Sequence, residues 1–137
     1  MTPAEAFAAI PLAAVCADHR LQPEEAELLK RQLRGRSPYS EMDPVEFGTM
    51  VSRLLLALRE QRQALVEEAA TLLSPAEQER AFAFAARLVY ADRIATQEEA
   101  NLLADVGCAL SVPAERLREI EASLALLGSE SGAQGAT

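Results

Sequence analysis

The stretch Ser74–Val89, which reads SPAEQERAFAFAARLV, decides the fold class. A serine at the N-cap, a proline at the first helical position and a glutamate at the third form a start signal for an α-helix. After this start, Phe82, Ala85 and Leu88 recur at intervals of three residues, the spacing of a helix with one buried face. The stretch therefore predicts a helix that packs against other helices.

The same start signal occurs elsewhere in the chain. Thr2-Pro3-Ala4-Glu5 and Asp43-Pro44-Val45-Glu46 repeat it in full, and partial versions stand at Gln22, Thr96 and Pro113. Apolar residues recur at helical intervals after each start, and no segment alternates with the period of a strand for long enough to predict one. A break near Gln61 divides the long middle stretch. We therefore expect an all-α protein with about seven helices in a bundle-like arrangement.

The length of 137 residues fits one domain, which we expect to span residues 1–127. The Gly/Ser/Ala-rich residues 128–137 are predicted to form a disordered tail. Pro11 falls inside the first helical pattern and predicts a kink or a short helix before it. The residues from Gly35 to Ser40 are typical of a loop.

The charge of the chain restricts the choice of partner. With 21 acidic and 13 basic residues the formal net charge is −8, whereas a surface that binds nucleic acid needs an excess of basic residues. An acidic chain is instead compatible with divalent cations or basic protein surfaces. No basic segment precedes the apolar residues 7–17, which are too few to span a bilayer. We therefore expect a cytoplasmic protein that does not bind nucleic acid.

An internal repeat is the most informative feature of the sequence. At an offset of 74 residues, the segment Val15–Leu29 aligns without gaps to Val89–Leu103. Eight of its fifteen positions are identical in the two copies: Val15, Ala17, Asp18, Glu24, Glu25, Ala26, Leu28 and Leu29. Each copy predicts an apolar helix that ends near an aspartate, a short connection, and a helix that opens with two glutamates. We therefore expect two related helix hairpins about a pseudo-twofold axis.

The acidic residues of the repeat are candidate cation ligands. Asp18 and Asp92 continue the apolar stripe of their helices, and a carboxylate at a buried edge needs hydrogen bonds or a cation to compensate its charge. If the two copies converge, carboxylate oxygens suit a hard divalent cation, whose identity the sequence leaves open. The candidate ligands are Asp18, Glu24, Glu25, Asp92, Glu98 and Glu99. Alternatively, these acids only cap the helices that follow them.

The sequence offers little catalytic chemistry. His19 is the only histidine, and no glycine-rich phosphate loop or Gly-x-Ser-x-Gly motif is present. Cys16 and Cys108 each lie within an apolar helical pattern, which is typical of core thiols rather than activated thiolates. We therefore expect a protein that is not an enzyme.

The duplicated motif resembles that of the tellurite-resistance TerB family, in which Ala-Asp-Gly is followed by an apolar residue and then Glu-Glu, in two copies on an all-helical fold. Here the copies run from Ala17 to Glu25 and from Ala91 to Glu99, with His19 and Arg93 in place of the family glycine. The resemblance implies a non-catalytic role in tolerance of tellurite and other chemical stress. It also implies metal binding and protein partners near the cytoplasmic membrane.

Two functional hypotheses follow from these residues. In the first, the duplicated acids bind a divalent cation and the protein responds to chemical stress. In the second, the acids only cap helices, and a metal-free helical module binds a protein partner in a surface groove. Self-association through an exposed apolar helix face is a third alternative, and the sequence leaves the oligomeric state open, a dimer included.

Overall fold

A computed structural model describes residues 1–15, 23–90 and 97–123, apart from the side chains of residues 23–26, 98 and 99. Every regular element in these ranges is helical, so the all-α prediction is confirmed. The elements are α1 (Pro3–Val15), α2 (Pro23–Arg34), a 3-10 turn (Tyr39–Glu41), α3 (Pro44–Leu72), α4 (Pro75–Val89), α5 (Gln97–Ala109) and α6 (114–123). The predicted tail at 128–137 lies outside the described residues.

The predicted proline starts are observed at α1, α3 and α4. Ser74 and Glu77 form a reciprocal capping box, in which the Glu77 N–H donates to Ser74 Oγ at 3.2 Å and the Ser74 N–H donates to Glu77 Oε1 at 3.0 Å. Thr2 and Glu5 repeat this geometry at 3.1 and 2.9 Å. Asp43 instead accepts from the N–H of Val45 at 2.8 Å, so the reciprocal bond predicted for this start is absent.

The predicted break in the long middle stretch is also observed. Gln61 has non-helical backbone angles, φ −146° and ψ 67°, and so divides α3 into two segments. Arg62, the next residue, donates from Nη1 to the carbonyl oxygen of Ala13 at 2.6 Å. Since α1 ends at Val15, this bond satisfies one of the last carbonyls of α1, which have no partner within the helix.

Helix α1 is the centre of the domain, and it packs against α3, α4 and α5. Its sequence explains this position, because Glu5 is its only charged residue and a helix without a polar face is stable only when surrounded. Pro11 lies within the helix, which continues to Val15, so no separate short helix precedes this proline. The fully buried residues of α1 are Ala6, Ala8, Ala9, Ile10, Pro11, Leu12, Ala13 and Ala14.

Among the residues that the structure describes, the predicted apolar faces form the core with two local exceptions, Leu72 and Cys108. Phe47, Met50 and Leu54 of α3 are buried, as are Phe82 and Val89 of α4, whereas Leu72 is 39% exposed. Leu72 is the last residue of α3, where the chain leaves the helix and the next residue turns into the core instead. Cys108, near the end of α5, is exposed, so its prediction as a core thiol is wrong. Within the described residues, no helix is both long and apolar enough to cross a membrane.

Candidate functional site

The predicted acidic ligands lie largely beyond what the structure describes. Asp18 and Asp92 fall outside the described residues, as do the side chains of all four glutamates. The backbone places Glu24 and Glu25 in the first turn of α2, and it places Glu98 and Glu99 in the first turn of α5.

The helix boundaries of the two copies agree at the offset of the repeat. Helices α1 and α4 end at Val15 and Val89, and helices α2 and α5 begin at Pro23 and Gln97, each pair 74 residues apart. In both copies, therefore, the two glutamates are the second and third residues of a helix. The first helices of the copies, α1 and α4, also pack against each other. These boundaries agree with the repeat, which itself remains a prediction from the sequence.

The chemistry of the six predicted ligands fits a hard cation. All six are carboxylates, and calcium or magnesium binds oxygen ligands. In the part of the chain that the structure describes, no three His, Cys, Asp or Glu side chains form a group that could hold a metal. The first-turn glutamates also have a competing role, because the positive end of a helix dipole stabilises a negative charge.

Side-chain hydrogen bonds fix both helices that lead into the Asp-bearing connections. Arg62 bonds the carbonyl oxygen of Ala13 near the end of α1. At the end of α4, the Tyr90 hydroxyl donates to Glu121 Oε1 at 3.1 Å. Burial and the neighbouring Glu121 carboxylate both raise the pKa of Tyr90, which keeps the phenol protonated as a donor at neutral pH. These two bonds join the described end of α1 to α3 and the described end of α4 to α6.

A separate cleft of about 280 Å³ lies where α1, the α2–α3 connection and α4 meet. The Arg36 guanidinium lies over the ring of Phe7 at 4.7 Å and over that of Phe84 at 5.6 Å, measured to the ring centroids. These two rings pack edge to face, with centroids 6.0 Å apart. The lining residues are Pro3, Ala4, Phe7, Arg36, Ser37, Pro38, Tyr39, Glu77 and Arg80.

Two further side chains stabilise the walls of the cleft. The Tyr39 ring is buried and its hydroxyl donates to the carbonyl oxygen of Ala4, which joins the α2–α3 connection to α1. Burial raises the pKa of Tyr39 well above its usual value, so the phenol stays neutral at physiological pH. The Glu77 carboxylate accepts a hydrogen bond from the Ser74 backbone N–H, and the backbone and side chain of Ser74 lower the pKa of Glu77 and keep it ionised.

A shallow groove between α2 and α3 is the second open surface. Val45 is 77% exposed beside it, and Leu55 and Gly48 form part of its apolar floor. Lys30 is the charged residue among those that line it. The groove is therefore an open surface between two helices with more apolar than polar lining.

Sequence reasoning missed the cleft because the residues from Gly35 to Ser40 carry no recognised motif. The available signal was Tyr39, an aromatic residue in a polar loop. A tyrosine at such a position often buries its ring and hydrogen-bonds its hydroxyl, which indicates that the loop packs against the core. The partners of Arg36 belong to two distant helices, so local sequence patterns do not reveal them.

Comparison of the chain with protein-family models, curated proteins and solved structures gives no match.

Proposed function

We propose that this protein is a non-catalytic, TerB-like binding protein of chemical-stress tolerance, including tolerance of tellurite, which binds a divalent cation at its duplicated acidic motif. The observation that supports the proposal is the agreement of helix boundaries at the 74-residue offset. It gives both glutamate pairs the same helical positions, each shortly after an aspartate-bearing connection. A duplicated ligand set is suited to a shared site between two equivalent hairpins.

The proposed role of the cation is electrostatic. Carboxylates from both copies repel one another if they converge, and a bound divalent cation removes this repulsion. Binding then stabilises the folded protein and changes the surface at the ends of α1 and α4. In this role the protein contributes to stress tolerance by binding a protein partner, as the resemblance implies, and it catalyses no reaction of its own.

Thermal unfolding of the metal-stripped protein, titrated with calcium, magnesium, zinc and manganese, tests this proposal. A cation that binds only the folded state at a hundred times its Kd stabilises it by about 2.7 kcal/mol. We expect a saturable rise in Tm with one of the four cations. The rise should disappear in the double variant Asp18→Asn, Asp92→Asn and persist in Asp105→Asn, which removes an exposed acid outside the motif. A flat response to all four cations would contradict the proposal.

The α2–α3 groove favours a second candidate function, a metal-free helical module that binds a protein partner. Here the acids only cap helices, so the double variant should lower Tm equally with and without cations. A photo-crosslinker at Thr49, which lines the groove, should capture a partner from cell extract, and the added substitution Val45→Glu should abolish the capture. Capture that is unchanged by Val45→Glu would contradict binding in the groove.

A further inference from the structure

The cleft beside Arg36 combines positive charge with an apolar floor in a chain of net charge −8. Arg36 and Arg80 are both exposed and both line it. Neither is in salt-bridge contact with a carboxylate among the described residues. The two guanidinium groups are therefore open to an anion from solution.

Arg36 is also held in place before any ligand arrives. Its guanidinium stacks on Phe7 and Phe84, an arrangement that is favourable by itself and reduces the freedom of a long side chain. A cation that is already ordered loses less entropy when it binds an anion. The one acid that lines the cleft, Glu77, accepts a hydrogen bond from the Ser74 N–H as a helix cap, and its charge interacts with that of Arg80. Two guanidinium groups against one carboxylate still leave the lining of the cleft with a net positive charge.

The size and the walls of the cleft restrict the ligand. A volume of about 280 Å³ is near the lower end of small-molecule sites, roughly 300–1,000 Å³, which suits a compact ligand. Pro3, Phe7 and Pro38 supply apolar surface for the body of that ligand. Guanidinium groups bind carboxylates through paired N–H donors.

We propose that this cleft binds a small organic monocarboxylate, whose apolar body lies on Phe7 and Pro38 and whose carboxylate pairs with Arg36 and Arg80. This site is separate from the acidic repeat and does not depend on the proposed cation function. The protein would then have a second ligand, a small organic acid, in addition to the proposed divalent cation.

Titration of the full-length protein with benzoate, followed by ¹H–¹⁵N NMR, tests the proposal. We expect saturable shifts of the amide signals of Phe7, Ser37 and Arg80. Benzamide has the same shape without the charge and should bind about tenfold or more weakly, as expected for loss of a charge-assisted hydrogen bond. Inorganic phosphate serves as the third probe, and binding as tight as that of benzoate would show that the apolar floor contributes nothing.

Two substitutions separate binding from folding. Arg36→Gln and Arg80→Gln should each weaken benzoate binding about tenfold or more. The control Arg59→Gln makes the same change of charge at an exposed position of α3 and should leave benzoate binding unchanged. Circular dichroism reports whether Arg36→Gln still folds. Arg80 is exposed and makes no hydrogen bond to the core among the described residues, so we expect Arg80→Gln to fold and to test the site even if Arg36→Gln does not. Equal binding of benzoate and benzamide, or full binding by Arg80→Gln, would overturn the proposal.

Discussion

The side-chain oxygen of Gln78 accepts a hydrogen bond from the backbone N–H of Ser111 at 2.6 Å, which joins α4 to the connection between α5 and α6. The Nε2 atom of the same side chain donates to the carbonyl oxygens of Ala70 at 2.8 Å and Leu73 at 3.1 Å, at the end of α3. Gln78 is only 3% exposed, yet its amide has partners on both sides. One buried side chain therefore connects three segments of the bundle.

Replacement of Gln78 by leucine should destabilise the protein. The volume is similar, but the buried Leu73 carbonyl and the partly buried Ser111 N–H lose their partner, and this loss should lower the free energy of unfolding by about 2 kcal/mol. Urea denaturation measures the loss. Gln63→Leu, at an exposed position on α3, is the matched control and should change the stability by less than about 0.5 kcal/mol. Equal effects of the two substitutions would show that the Gln78 network contributes little.

Replacement of Gln78 by glutamate should make stability depend on pH in the acidic range. A carboxylate still accepts from Ser111 but faces the carbonyl oxygen of Leu73, so the folded state favours the protonated carboxyl and its pKa rises above the unfolded value of about 4.3. A raised folded pKa gives stabilisation that is present below the unfolded pKa and is lost as the pH rises through the folded pKa. The free energy of unfolding of Gln78→Glu should therefore be lower than that of wild type at pH 7, and this difference should become smaller as the pH falls to 4. A deficit that is constant over this range would contradict the prediction.

Tyr39 should make the protein less stable at alkaline pH. Its folded pKa is raised by burial, so its contribution to stability is complete below the unfolded pKa of about 10 and is lost as the pH rises above it. The difference in unfolding free energy between wild type and Tyr39→Phe should therefore fall by about 1.4 kcal/mol per pH unit above that point. The comparison also cancels the contribution of Tyr90, whose pKa is raised as well. A difference that stays constant up to pH 11 would contradict the assignment.

The accuracy of the sequence-based predictions depends on the range of the interactions. The starts at Pro3, Pro44 and Pro75 were predictable because a cap and a proline act within one helical turn. The break at Gln61 was predictable from the length of the apolar pattern. The central position of α1 also follows from its lack of a polar face, although only the packing shows which helices surround it.

The cleft depends on contacts that no local pattern encodes. Arg36 follows α2, whereas its ring partners Phe7 and Phe84 belong to α1 and α4. Gln78 is another example, because its position on α4 resembles that of any polar residue until the ends of α3 and α5 pack around it. The sequence contains both residues, but their roles depend on how distant helices meet.

Two helical glycines should respond in opposite directions to alanine. No atom lies within 4 Å of a Cβ built at Gly48, so Gly48→Ala should stabilise α3 by about 0.5–1 kcal/mol through helix propensity alone. At Gly107 the Cβ would lie 3.1 Å from Phe82 Cε1 and 3.2 Å from Leu117 Cδ1. Because Phe82 is buried and closely packed, Gly107→Ala should be less stable than wild type by up to about 2 kcal/mol. Thermal unfolding of both variants checks the signs, and a stabilising Gly107→Ala would show that the packing at α5 is loose.

The small residues of α1 should set how closely its neighbours approach. Ala9 is fully buried on a helix that contacts α3, α4 and α5, so Ala9→Leu adds three carbon atoms where there is no solvent to displace. We expect a loss of about 1–3 kcal/mol, since overpacking forces side chains and helices apart. Ala104→Leu, at an exposed position on α5, should change the stability by less than about 0.5 kcal/mol. Urea denaturation compares the two, and an Ala9→Leu variant as stable as Ala104→Leu would contradict a central, closely packed α1.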